Sequence, residues 1–425
     1  MLFLHAELNM KIGIQTWGSN GDIRPMLALA DGLSKAGHQV SLVVSSVDNH
    51  SYHEICRQLG VAYRQVPESI AFDMQDFALR SFKMHTLQWL RALLDEAYFP
   101  HEQEIYQAAQ QLTAENDLVI GHHFLYPLKL AAKQQGKDFV SVTFCHGAIA
   151  NPAFPAFSFP NLGRAVNGLT WALRDAVFSL GMQRLTHLWR QAGVTPPKNL
   201  LGDLLSSQTL NLVAVDAFFC PAIQHWPEQH QACGFLNLDE DARHWQMPDS
   251  LAEFMDSGPA PVYMTFGSLQ QAVPEWSMDL FLEAVALAGC RAVIQTSSER
   301  FPALTSDKQV YFIGKHPHQP LFKECVAVVH HGGAGTTHAA TRAGCASIVV
   351  PFMSEQLFWA EQARRLGLAG KPLPAKSINA ASLGKALAMT LASDAIRHSA
   401  SAAGRSMQTR QGVERAVQLL EARFH

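Results

Sequence analysis

At 425 residues the chain is long enough for two domains, each with a sizeable core. A net charge of −3 with 16 % charged residues argues against a nucleic acid as the main partner, because such proteins carry a basic excess. The seven cysteines are scattered without a C-x-x-C pair, which argues against a zinc or disulfide framework and suits a reducing compartment. No run of about 18 apolar residues marks a membrane span. The first residues lack the basic start of a signal peptide. Met10 and Lys11 open the first strand, so residues 1–9 read as a dispensable extension.

Residues 11–17 read as strand one, followed by a loop over 18–22. Pro25 suits a first helical turn, 26–35 has helical spacing, and Gly37 fits the stop. Residues 39–45 form the next apolar strand. Strand, turn, helix, strand is a βαβ unit, which implies a parallel sheet. Segments 117–121 and 138–143 read as further strands. Residues 151–160 form a loop rich in proline and phenylalanine, followed by a helical stretch carrying Trp171, Phe178, Met182, Leu185 and Trp189. A polar, turn-rich stretch over 238–259 reads as a linker. A second βαβ series then begins, with strands expected at 261–268, 291–296, 309–313, 326–329 and 346–351. The fold class is α/β, with two doubly wound Rossmann-like halves and ligand binding expected in the cleft between them.

One stretch carries most of the chemistry. His330, His331, Gly332, Gly333, Ala334, Gly335, Thr336 and Thr337 lie between an apolar strand and a helix. A glycine-rich turn at a helix N-terminus converges backbone N–H groups on an anion, so the stretch suits a diphosphate. Three other elements end strands of the same half: Gly267-Ser268, the loop of His316 and His318, and Glu355-Gln356. A carboxylate beside an amide suits sugar hydroxyls. A phosphate site near a hydroxyl-binding pair describes a nucleotide sugar. In the first half, His122 and His123 follow a strand and could line an acceptor site or form a buried pair. Phe77, Phe82, Trp89, Phe154 and Phe157 could wall an apolar acceptor pocket or be plain core. The acidic run Asp239-Glu240-Asp241 lies in the linker and reads as solvated, so no metal is implied.

The segment from His316 to Ala369 resembles the donor-binding signature of family 1 glycosyltransferases, the UDP-glycosyltransferase-like group of the GT-B fold. The stretch from Gly18 to Pro25 is similar to the opening motif of sterol glucosyltransferases, rhamnosyltransferases and antibiotic glycosyltransferases. The resemblance implies an acceptor domain over 1–237, a nucleotide-sugar domain over 260–405, and a C-terminal helix over 406–425 packing back on the first. It places Ser19, Gly21, Gly267, Ser268, His316, His318, His330, Gly332 to Thr336, Glu355 and Gln356 at the donor. His331 is assigned to packing. Where relatives carry Asp-Gln, this chain has Glu355-Gln356. Asp22 is implied as general base of a single inverting displacement; its alternative role is to cap the helix at Pro25. The implied reaction moves a hexose, from UDP-glucose first and dTDP-rhamnose next, to a hydroxyl of a lipophilic acceptor such as a sterol, lipid or natural product. The nucleotide sugar is a co-substrate, and neither cofactor nor metal is implied. The setting is cytoplasmic, with peripheral contact at the inner face of the membrane left open. A UDP-sugar epimerase of the same fold and a non-catalytic nucleotide-sugar-binding protein are the alternatives.

Overall fold

Strands covered on both faces need apolar side chains at every position, and the apolar runs of this chain fold as such strands. The computed structural model describes residues 9–81, 84–156, 159–220, 222–238, 245–267, 274–296, 306–314 and 316–424. They fall into two units. The first gathers the described residues of Met1–Phe72, Leu87–Leu238 and Gln411–His425; the second gathers those of Asp73–Thr86 and Asp239–Arg410.

The first unit holds β1 (Lys11–Gly18), β2 (Gln39–Ser46), β3 (Ala62–Gln65), β4 (Leu118–His122), β5 (Asp138–Thr143), β6 (Leu210–Val213) and β7 (His230–Ala232). All pairs are parallel, in the order β3-β2-β1-β4-β5-β6-β7. The order runs outward in both directions from β1 and β4, so the crossovers leave the sheet on opposite sides there. The C-terminal ends of these two strands are therefore left uncovered, where α/β sheets bind ligands. The second unit repeats the device with β8 (Val262–Met264), β9 (Ala292–Gln295), β10 (Val310–Ile313), β11 (Ala327–His330) and β12 (Ala346–Val349). Its order is β10-β9-β8-β11-β12, again parallel, with the reversal between β8 and β11.

Several expectations are corrected. Helix α1 (Asn20–Lys35) starts within the stretch read as a loop and carries Pro25 inside it. Ser19 as N-cap and Asp22 at the third helical position form a reciprocal box, and that pairing sets the start ahead of Pro25. The helix after β11 begins at Ala334, inside the stretch read as a turn. β8 stops at Met264, three residues before Gly267. The linker holds a helix, Asp249–Asp256, whose Leu251 and Phe254 join a core with Tyr263 and Phe322. Segment 73–86 groups with the second unit although the chain order puts it within the first. A short helix takes its burial from whichever apolar surface it reaches, and sequence order does not specify that surface. No described helix is long and apolar enough to cross a membrane.

The C-terminal helix Gly412–Phe424 seats Ala416, Val417 and Leu420 in the core of the first sheet. Its entry is tight. A Cβ on Gly412 would overlap the Phe235 carbonyl oxygen and come within 2.9 Å of the Gly234 carbonyl carbon. Backbone cannot yield there as a side chain would. Gly412→Ala is expected to destabilise the first unit by about 1–3 kcal/mol, the usual range for overpacking. Urea denaturation followed by circular dichroism checks this, and an unchanged midpoint would mean that the helix does not seat as described.

Candidate functional site

Each unit places its chemistry at its own reversal point. In the first, β1 ends at Gly18, whose φ of +134° favours glycine. A Cβ at Gly18 would lie 2.8 Å from the Asp22 Cβ, so glycine lets Asp22 fold back over the strand end. Asp22 Oδ2 accepts hydrogen bonds from the Ser19 N–H at 2.9 Å and the Ser19 hydroxyl at 3.1 Å. Asp22 Oδ1 faces His122 Nε2 at 3.9 Å, beyond hydrogen-bond range. His122 ends β4, the neighbour of β1, and its Nδ1 accepts from the Phe124 N–H at 3.4 Å. That assigns the ring proton to Nε2, the atom turned to Asp22.

Burial sets the charges of this cluster. Desolvation pushes the Asp22 carboxyl up to about 6, overriding the two Ser19 hydrogen bonds that pull it down. Side-chain exposure at the surface is nonetheless 38 %, so the acid keeps an edge open to solvent. His122 is 4 % exposed, and its burial, with His123 beside it at 4.3 Å between ring centres, holds its pKa well below the usual value. Both imidazoles are neutral at pH 7, His123 being pushed down to about 4 by burial.

In the second unit, His330 ends β11 and is fully buried. Its Nδ1 accepts the Gly332 N–H at 3.1 Å, which leaves the proton on Nε2, and Nε2 has no hydrogen-bond partner among the described residues. Burial, then the neighbouring His331 and His318, push its pKa down to about 3, so it is a neutral donor. Gly332 has φ +89°, and a Cβ there would come within 2.8 Å of the Gln356 carbonyl oxygen and Val349. The His331 ring fills the space over the other two glycines. A Cβ on Gly333 would approach it to 2.5 Å and one on Gly267 to 3.1 Å. His331 therefore packs the turn. Gly333 caps helix Ala334–Arg342, whose first N–H groups, Ala334, Gly335 and Thr336, have no intrahelical acceptor. A buried neutral N–H donor and a helix N-terminus with unpaired N–H groups are the kinds of groups that can hold an anion.

The other expected residues are placed as follows. Ser19, expected at the donor, donates its hydroxyl to Asp22 Oδ2. Gly21 is exposed in the first turn of α1. Gln356 is buried and its amide oxygen accepts from Phe352 N–H at 2.8 Å and Met353 N–H at 3.4 Å. Those N–H groups at the helix entry need an acceptor, so only the amide nitrogen of Gln356 is left for a hydroxyl. Glu355 beside it is exposed. His316 bonds Gly314 O through Nδ1 at 2.9 Å and lies against Tyr263 and Trp245; His318 stacks on Phe322 at 4.9 Å. Trp245, not singled out from the sequence, brings an aromatic ring to this corner.

The aromatic wall divides. Phe77 is 3 % exposed and groups with the second unit. Trp89 and Phe154 are half-buried in the first, the Phe154 carbonyl accepting from Trp171 Nε1 at 2.7 Å. Phe82, Phe157, Ser268 and the acidic run 239–241 lie outside the described residues.

The chain matches a family model described as erythromycin biosynthesis protein CIII-like, C-terminal domain, over residues 283–422. It is 29 % identical to a sterol 3-beta-glucosyltransferase of Kluyveromyces lactis over 96 % of this chain and 34 % of that protein. The O-mycaminosyltylonolide 6-deoxyallosyltransferase of Streptomyces fradiae is 26 % identical, with 97 % of each chain covered. The crystal structure of the glycotransferase of kitacinnamycin superposes with a TM-score of 0.70 at 18 % identity, covering 98 % of this chain and all of that one. The chain thus spans about a third of the length of the yeast sterol relative it matches.

The raised pKa of Asp22 has a stability consequence. Between the ordinary 3.8 and about 6 the native state holds this proton more tightly than the unfolded chain does. Stability is therefore lost as pH rises through that window. Asp22→Asn keeps an oxygen for Ser19 and cannot ionise. Its melting temperature is expected to exceed wild type at pH 8, with the gain shrinking at pH 4. An equal difference at both pH values would contradict the burial of the charge.

Proposed function

We propose that the chain is a family 1-type glycosyltransferase of the GT-B fold, as its similarities support, and that it transfers a hexose from a nucleoside diphosphate sugar to the hydroxyl of a lipophilic acceptor. The observation that carries this is the buried, unpartnered Nε2–H of His330 beside the open N–H groups of Ala334 to Thr336. Such a corner favours a group that gains negative charge as its bond breaks, which describes a leaving nucleoside diphosphate. UDP-glucose is the first donor to test and dTDP-rhamnose the second.

The transfer is a single inverting displacement. The acceptor oxygen forms a bond to the anomeric carbon, the bond from that carbon to the β-phosphate oxygen breaks, and the electron pair leaves with the diphosphate. The hydroxyl proton passes to Asp22. A carboxylate whose pKa is about 6 is a better match to a reaction near neutral pH than an ordinary aspartate. Ser19 holds one carboxylate oxygen, which turns the other toward the proton it would take. His330 and the helix N-terminus stabilise the diphosphate, so the mechanism needs no divalent cation. Gln356 offers its amide nitrogen, and Glu355 its carboxylate, to sugar hydroxyls. The similarity to a sterol 3-beta-glucosyltransferase and to an O-mycaminosyltylonolide 6-deoxyallosyltransferase supports a lipophilic acceptor.

Two substitutions separate the roles. Asp22→Ala is expected to lower kcat by about 10²–10⁴-fold, the usual contribution of a general base, while the Kd for UDP or dTDP stays unchanged. The wild-type rate should fall as pH drops below about 6; near-wild-type turnover of Asp22→Ala would leave Asp22 a cap only. His330→Ala is expected to weaken UDP or dTDP binding by about tenfold, as for loss of one hydrogen bond to a charged group. Titration calorimetry reads it, and an unchanged Kd would remove His330 from the site.

A further inference from the structure

We infer that the outward face of helix Arg164–Gly181 docks the protein on an anionic lipid surface. The inner face of this helix buries Trp171 and Phe178 among hydrogen-bonded polar groups: Asn167 Nδ2 donates to Pro152 O and Asn161 Oδ1, and Trp171 Nε1 donates to Asn151 O. The Thr170 hydroxyl accepts the Ala156 N–H, the Ser179 hydroxyl accepts the Leu200 N–H, and Arg174 donates to the Gly147 and Ala148 carbonyls. Asn167, Thr170 and Ser179 are buried.

The outer face is aliphatic. Val166, Leu169, Leu173, Val177 and Leu180 are exposed, Leu169 at 69 % and Leu180 at 77 %, and the stripe continues N-terminally through Leu162 and Phe159. From Val166 to Leu180 the spacing is three and four residues, so these side chains form one line along the helix. Ala165, Ala172 and Ala176 are exposed along the same helix. Scattered exposed leucines are ordinary, but a continuous stripe on a helix of about 27 Å marks an interaction face.

Charge selects the occupant. Residues 159–200 carry Arg164, Arg174, Arg184, Arg190 and Lys198 against Asp175 alone, a net of +4 in a chain whose total is −3. Arg174 pairs with Asp175 and Arg184 with Glu102, which leaves Arg164, Arg190 and Lys198 as exposed cations. A two-fold pairing with a second copy would set this positive segment against itself. An anionic bilayer accepts both features, the aliphatic stripe in the acyl boundary and the cations at the headgroups. The helix would lie on the surface, since it is not apolar enough to span. For its purpose the inference rests on the lipophilic-acceptor reading, because an acceptor dissolved in the bilayer would then be met where it resides.

The test is co-sedimentation of the full chain with vesicles of phosphatidylglycerol or of phosphatidylcholine, without donor or acceptor. Wild type is expected to bind the anionic vesicles at least tenfold more tightly than the neutral ones, and less tightly as salt rises. Leu169→Glu with Leu173→Glu should abolish sedimentation at an unchanged melting temperature; Val177→Ser with Leu180→Ser serves if the first pair misfolds. Wild type left in the supernatant, or a variant that sediments like wild type, overturns the inference. So does a wild-type dimer that the substitutions dissociate while vesicle binding is absent. Transfer to a detergent-dispersed acceptor reads the proposed activity separately: its absence with vesicle binding intact overturns the activity alone.

Discussion

Two sheets of parallel strands, each with its order reversed beside its first strand, set the conditions for everything else in this chain. Parallel strands need crossovers, and crossovers that leave in opposite directions cannot cover the strands between which they part. At β1 and β4, and again at β8 and β11, two strand ends are left without a connection over them. The residues at or just past those ends are free to depart from the apolar pattern of the sheet. His122 and His330 are the last residues of β4 and β11, and Asp22 and Gly267 follow β1 and β8. Tight approach of the segments then demands glycine: Gly18 beneath Asp22, Gly332 against Gln356, and Gly267 and Gly333 against the His331 ring.

Burial acts on the two sites in opposite senses. On His330 it removes charge, so the ring stays a neutral donor whose direction is set by the Gly332 N–H at the far nitrogen. A buried donor without an acceptor is a standing cost that a ligand oxygen relieves. On Asp22 burial raises the pKa while Ser19 lowers it, and burial prevails. An aspartate in a helix first turn is ordinarily a weak base, because the helix dipole stabilises its charge. Here the same residue closes the cap of α1 and has its pKa raised by burial at the strand end, so capping is compatible with the role of base proposed for it.

What could be read in advance follows from how local each feature is. Apolar runs such as 39–45 and 138–143 declare buried strands without knowledge of their neighbours, and the glycine-rich stretch after His330 declares a strand-turn-helix. The start of α1 was misplaced because Pro25 is a strong local signal, whereas the Ser19 and Asp22 box works only as a pair. The nearness of His122 to Asp22 follows from the register that sets Gln15 opposite Gly121, and no local pattern encodes that. Gln356 looked free to serve a sugar because its own turn, with two N–H groups to satisfy, becomes visible only in three dimensions. The same holds for segment 73–86, whose partner surface lies far along the chain, and for the helix over 249–256, whose two core residues sit among polar ones.

The helix Arg164–Gly181 shows how a polar network can enforce an apolar surface. Turning this helix about its axis would bury the leucines, yet it would strip Asn167, Thr170, Trp171 and Arg174 of partners that are themselves backbone carbonyls and N–H groups. Each such loss leaves a buried group unsatisfied, at about 1–3 kcal/mol apiece, comparable to what a buried leucine returns. The five or more bonds on the inner face therefore hold the stripe outward against the hydrophobic effect. Such a face, held in water beside a locally positive segment, is the one that the proposed docking on an anionic lipid surface would cover.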